Sequence, residues 1–164
     1  MTIQKDKQGI QIITKQKFLK NYNPANLINS GGVKSFEEIF ENKSHSISRI
    51  RKEMGESFTV SYMKVWLVEL NELLNLRRPM TESQISFAAR LVVDEFYNLN
   101  ISDLQFLFRK ILSGQYGELY ESLNPPKILT FFREYLNERM TQGAQKSLSK
   151  HMDSKNIWLK KNGY

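Results

Sequence analysis

Few side chains in this sequence could do chemistry, and the first question is whether any of them converge. The two histidines, His45 and His151, stand far apart in the chain, and neither has a second histidine at helical spacing. Zinc and di-iron sites need several such ligands together, so we predict no metal site. The sequence contains no cysteine, which removes thiol nucleophiles and disulfides and is typical of a reducing compartment.

The carboxylates and the glycines give no catalytic pattern. Carboxylates occur as adjacent pairs, such as Asp94 with Glu95. Adjacent residues on a helix diverge by about 100°, so such a pair cannot act on one substrate. The segment GQYG at 114–117 lacks the lysine and the hydroxyl residue of a phosphate-binding loop. We predict a protein without enzymatic activity or cofactor. Gly114 and Gly117 should shape a helix-to-helix connection through positive φ angles or tight backbone contacts.

The positive excess of the chain, whose net charge is +7, lies in lysines at its two ends. Each end, residues 1–20 and residues 141–164, has a charge of +4, which leaves the middle of the chain at −1. Such ends are typical of solvated tails and also of arms that contact a polyanion. Lysine lacks the bidentate fork of arginine, so contact with nucleic acid should ignore base sequence. The predicted nucleic-acid-binding residues are Lys5, Lys7, Lys15, Lys17, Lys20, Lys146, Lys150, Lys155, Lys160 and Lys161.

Other basic and apolar residues leave two questions open. Arginines on the predicted helices either contact nucleic acid or pair with carboxylates on the same helical surfaces. Near the C-terminal end, Ile157, Trp158 and Leu159 form an apolar cluster between lysines. A tryptophan in a polar tail either docks on its own domain or binds a partner. We predict these three residues as the partner-binding site.

Helices must position these residues, because apolar residues recur at intervals of three and four from Ser35 onward. We predict an all-α fold: a compact bundle of about five or six helices with extended basic N- and C-terminal arms. The bundle occupies residues 35–142. Residues 1–34 form a mostly irregular basic arm, and residues 143–164 form a basic tail that is helical to about Met152. The composition, 40% hydrophobic and 25% charged, is typical of a globular protein.

Capping residues mark where the predicted helices begin. Ser35 with Glu38 and Thr81 with Gln84 fit capping boxes, and Ser102 and Asn124 are predicted N-caps. The most apolar helix covers about residues 59–76, with Trp66 on its inner face and with Val65 and Val68 widening that face. We expect it to lie at the centre of the bundle. No signal peptide or stretch of about 18 apolar residues is visible, so we expect a cytoplasmic protein.

Four stretches carry a resemblance to known proteins: WLVELNE at 66–72, DEFYNLNISDL at 94–104, FRKILSGQYGELY at 108–120 and FREYLNER at 132–139. Together they resemble a family of small helical proteins encoded by phages and mobile elements of Bacteroidota, most of them uncharacterised. The likeness covers roughly half the chain, and its most specific part is Gly-x-Tyr-Gly-x-x-Tyr from Gly114 to Tyr120. The succession of helices is also similar to phage helicase loader and loader-inhibitor domains.

The resemblance implies a non-enzymatic adaptor of phage-type DNA replication. Such an adaptor, a helicase loader or modulator without an ATPase segment of its own, would bind a protein partner such as a replicative helicase. Its lysine-rich ends would contact DNA non-specifically in the host cytoplasm. The alternative is a structural or cargo protein of a phage particle, with its basic arms against neighbouring subunits or packaged DNA.

Overall fold

The computed structural model describes residues 4–5, 11–12, 15–118 and 121–163, and within them the fold is all-α. A short antiparallel ladder joins β1 (Gln4–Lys5) to β2 (Gln11–Ile12). Eight helices follow in the described ranges, rather than the five or six expected. They are α1 (Lys15–Asn21), α2 (Pro24–Asn29), α3 (Phe36–Glu41), α4 (Ile47–Met54), α5 (Glu56–Leu74), α6 (Glu82–Glu95), α7 (Ile101–Leu112) and α8 (Pro125–Lys161).

The chain divides into two compact units, residues 1–132 and residues 133–164. The first unit contains α1 to α7 and the start of α8, and the second contains the rest of α8. The expectation that the tail is helical only to about Met152 is wrong, because α8 continues to Lys161. A single glycine, Gly143, costs a helix only about 1 kcal/mol, and no proline interrupts the sequence after Pro126.

Helix α5 lies at the centre of the first unit, as predicted. It packs against α2, α4, α6 and α7. Trp66 is fully buried, and its ring centroid lies 5.1 Å from that of Phe108 on α7. The expected widening of the buried face by Val65 and Val68 is wrong, since these side chains are 40% and 38% exposed. Both lie about a quarter-turn or more away from Trp66 on the helix.

The prediction of a mostly irregular arm over residues 1–34 is wrong for residues 15–29, which form α1 and α2. Asn23 caps α2, and Pro24 is the first residue of this helix. Phe18 of α1 is fully buried, and the Tyr62 hydroxyl of α5 donates a hydrogen bond to the Tyr22 carbonyl at 2.7 Å. This part of the N-terminal region therefore belongs to the core of the first unit.

Capping accounts for most of the helix starts. The capping box of Thr81 and Gln84 is present, and the Asn124 side chain accepts a hydrogen bond from the Lys127 N–H at 3.0 Å. Ser35 caps α3 as predicted, although the Glu38 carboxylate accepts from the Lys34 N–H rather than from Ser35. Helix α7 begins at a different cap: Asn100 forms a capping box with Asp103, in place of the predicted cap at Ser102.

Two glycines of the connection after α7 have left-handed backbone angles, as the sequence predicted: Gly114 has φ 79° and Gly117 has φ 95°. A β-carbon at Gly114 would meet no atom within 4 Å, so any cost of substitution there is conformational rather than steric crowding. We expect Gly114→Val to lower the free energy of unfolding by about 1 kcal/mol or more in urea denaturation. Gly114→Asn is the matched control and should lose less. Equal stability of the valine variant and the parent protein would contradict this account.

Candidate nucleic-acid and partner interface

The lysines predicted to contact nucleic acid fall on two helices and at the start of the chain. Lys15, Lys17 and Lys20 lie on α1 and are exposed. The ammonium of Lys15 lies 5.7 Å from the centroid of the Phe58 ring. Lys5 belongs to β1, and Lys7 lies outside the described residues. The five lysines of the C-terminal end all belong to α8.

Four of the five lysines on α8 share one face of the helix. With about 100° of rotation per residue, Lys146, Lys150, Lys160 and Lys161 fall within an arc of about 100°, and Lys155 falls on the opposite side. These four residues define the basic face. Lys146 is half-buried, and the other three are exposed. The basic face is about 22 Å long at 1.5 Å per residue, and Asp153 is its only acidic residue.

The predicted partner-binding residues do not form a single patch, because consecutive side chains on a helix point about 100° apart. Ile157 and Trp158 are 66% and 59% exposed. Ile157 lies within the arc of the basic face, whereas Leu159 shares a different face with Leu148 and Met152. Leu159 is half-buried, and the other two are 60% and 56% exposed.

Leu148, Met152 and Leu159 define an apolar stripe that the prediction missed. Their intervals of four and seven residues are a helical signal that was present in the sequence. The predicted helix ends at about Met152, so Leu159 lies beyond its end, whereas α8 continues to Lys161. Apolar side chains at such intervals on one exposed helical face are the usual anchors of a helix that lies in a partner's groove.

The described residues contain no group of three or more histidine, aspartate and glutamate side chains that could hold a metal ion. Several carboxylates instead pair with arginines of the first unit. Arg49 contacts Glu53 at 2.8 Å, and Arg51 contacts Asp94 at 3.0 Å. Arg78 contacts the carboxylate of Glu121 at 2.8 Å. For these three arginines, pairing with carboxylates is therefore favoured over contact with nucleic acid.

His45 lies in an aromatic cluster rather than in a site for chemistry. Its ring stacks on Phe18 with a centroid distance of 5.9 Å, and it lies 5.6 Å from the ring of Tyr22. Burial lowers the pKa of His45 below its ordinary value of 6.5, and the positive charge of Arg49 lowers it further, against the opposing effect of Glu53. The buried Nδ1 atom has no hydrogen-bond partner among the described residues.

Because the pKa of His45 is lower in the folded protein, the unfolded protein binds the proton more tightly. Neutral His45 favours the folded protein, so the free energy of unfolding has its full value above pH 6.5. It falls as the pH drops below 6.5 toward the lower pKa that His45 has in the folded protein. We therefore expect urea midpoints to fall between pH 7.5 and pH 5.5. His45→Gln should reduce this fall, and His151→Gln, which changes an exposed histidine of α8, should not. An unchanged pH dependence in His45→Gln would show that another group is responsible.

Comparison with protein-family models, with curated proteins and with solved structures returned no match. Among the described residues, no helix is both long enough and apolar enough to cross a bilayer. The features that bear on function are therefore those of the chain itself: an all-α fold, a basic face and an apolar stripe on α8.

Proposed function

We propose that the protein is a non-enzymatic adaptor of phage-type DNA replication that contacts DNA without sequence preference. One observation carries this proposal: a single helix, α8, has exposed lysines on one face and exposed apolar side chains on another. Lysines contact phosphates as point charges and so hold DNA without reading its bases. The lysines of α1 add to the same non-specific attraction.

The apolar stripe supplies the protein-binding half of the proposal. Leu148 and Met152 are more than half exposed, and large apolar side chains in that state are typical of surfaces that a partner covers. Trp158 adds an aromatic anchor of the type that dominates binding energy at interfaces. The resemblance to phage helicase loader and loader-inhibitor domains supplies the class of partner, a replicative helicase.

The test uses the full chain, a purified replicative helicase from a Bacteroidota host and two DNA duplexes of unrelated sequence. We expect equal affinity for the two duplexes and a complex with the helicase in size-exclusion chromatography. Leu148→Ser combined with Met152→Ser should weaken the helicase complex and leave DNA binding unchanged. Absence of a helicase complex, together with co-purification with virions at fixed stoichiometry, would favour the structural or cargo protein instead.

A further inference from the structure

A cleft in the first unit gathers positive charge that the proposed adaptor function does not use. It lies between the end of α2, the segment before α3, the end of α5 and the end of α7, and its volume is about 670 Å³. Three cationic side chains line it: Lys34, Arg109 and Lys110. Among the described residues that line it, none is acidic. We call this cavity the cationic cleft.

Two cations of the cationic cleft, Lys34 and Arg109, differ from three arginines elsewhere in the first unit. Arg49, Arg51 and Arg78 each contact a carboxylate, whereas neither Lys34 nor Arg109 forms an ion pair with any described residue. Arg109 donates one hydrogen bond, from Nη1 to the Ser30 carbonyl. A guanidinium has five N–H donors, so donors remain for a ligand.

The third cation is held in place by aromatic rings. The Lys110 ammonium lies 4.7 Å from the centroid of the Phe106 ring, 4.9 Å from that of Phe36 and 5.8 Å from that of Tyr116. Lys110 is only 8% exposed. Aromatic faces attract a cation through their quadrupole, so these contacts hold the ammonium of Lys110 at the wall of the cationic cleft.

The negative end of the α7 dipole also lies at the cationic cleft, but it is too weak to cancel these charges. A helix C-terminus is equivalent to about half a negative charge, against the two positive charges of Lys34 and Arg109. The last carbonyls of α7 already accept hydrogen bonds from the backbone. The Ser113 N–H donates to the Arg109 carbonyl at 2.9 Å, and the Gln115 N–H donates to the Lys110 carbonyl at 3.0 Å.

We propose that the cationic cleft binds an organic phosphate monoester with an apolar or aromatic body, of the size of a nucleoside monophosphate. A phosphate monoester carries a charge of about −1.5 to −2 at neutral pH, which matches the two positive charges of Lys34 and Arg109 better than a single carboxylate does. The rest of the wall combines the apolar side chains of Ile28, Val33, Leu73 and Leu112 with the polar residues Asn29, Ser113 and Gln115. The volume is within the range of small-ligand sites and far exceeds the need of inorganic phosphate alone.

The test is an NMR titration of the ¹⁵N-labelled full chain with AMP, adenosine and inorganic phosphate in a buffer without other phosphates. We expect AMP to give saturable shifts of the amide signals of Lys34, Ser113 and Gln115. Inorganic phosphate should bind more weakly at the same signals, and adenosine should give no saturable shift. Saturable binding of adenosine at the affinity of AMP would overturn the proposal, because recognition would then not depend on the cations.

Matched variants locate the site. Lys34→Gln and Arg109→Gln should each weaken AMP binding by about tenfold or more, since each removes a charge-assisted contact. Lys52→Gln, which removes an exposed charge from α4 away from the cationic cleft, should leave the affinity unchanged. If Arg109→Gln fails to fold after losing its hydrogen bond to Ser30, the AMP affinity of Lys34→Gln tests the proposal by itself, because Lys34 is exposed.

Two further results would overturn the proposal: no saturable AMP shift with the parent protein, or equal AMP affinity in Lys34→Gln and Lys52→Gln. The variants of the cationic cleft keep every lysine of α8 and α1, so DNA binding should be unchanged in them. Failure of this proposal can therefore be distinguished from failure of the adaptor function.

Discussion

Trp66→Ala should cost the full chain on the order of 3 to 5 kcal/mol of unfolding free energy. The indole is fully buried on α5, with ring contacts to Phe108 at 5.1 Å and to Tyr62 at 6.4 Å. Alanine leaves a cavity where these aromatic side chains meet, because neighbouring helices cannot collapse to fill it. Domains of this size have total stabilities of about 5 to 15 kcal/mol, so the variant should be close to unfolding at room temperature.

Urea denaturation followed by far-UV circular dichroism measures this loss. Trp66→Phe keeps an aromatic ring and should lose less than the alanine variant. Trp158→Ala is the matched control, because it removes the same side chain from an exposed position of α8, and it should change stability by no more than about 0.5 kcal/mol. Similar losses at the two tryptophans would contradict the assignment of Trp66 to the core.

The features predicted from the sequence are those that depend on neighbouring residues in the chain. Thr81 and Gln84 satisfy each other's backbone groups within one turn, so the start of α6 could be predicted without knowing what surrounds it. The buried face of α5 followed from the spacing of its apolar residues. The same local rules gave the left-handed angle of Gly114, since glycine after an apolar stripe commonly ends a helix.

The features that were missed depend on contacts between residues far apart in the sequence. Phe18 is buried because Tyr62 and Phe58 of α5 pack against it, with ring centroid distances of 5.1 Å and 5.7 Å. Little within α1 itself signals this burial, because most of its residues are polar. The cationic cleft is similar, since it joins Lys34 to Arg109 across 75 positions of the chain. No interval in the sequence connects those two residues.

Because α1 and α2 belong to the first unit, DNA binding should be tested by substitution rather than by deletion of the N-terminal residues. Deleting residues 1–32 would remove all 13 residues of α1 and α2, including the buried Phe18, so a loss of binding would not be separable from a loss of folding. Substitution in the full chain avoids this problem. The lysines of the basic face are the better targets, because they lie in the second unit on a helix whose apolar stripe stays intact.

Replacing Lys146, Lys150, Lys160 and Lys161 together with glutamine should abolish most of the DNA affinity. If each lysine neutralises one phosphate, these four contacts contribute about −3.6 to the slope of log K for DNA binding against the logarithm of the salt concentration. That contribution corresponds to a loss of affinity of roughly 150-fold between 50 and 200 mM salt. The parent protein should bind with a dissociation constant of about 10⁻⁴ to 10⁻⁶ M at physiological salt. Fluorescence anisotropy across a salt series measures both quantities.

Two controls show whether DNA binding depends on positive charge and on the basic face of α8. The same four positions changed to arginine keep the charge and should keep the salt slope, whereas Lys155→Gln alone, on the opposite side of α8, should change the slope by less than one. If the four-glutamine variant keeps the affinity and slope of the parent protein, the phosphates are contacted by α1 or by other cations. If the parent protein does not bind DNA even at 50 mM salt, the lysines serve solubility alone, and the protein acts through its protein partner without touching DNA.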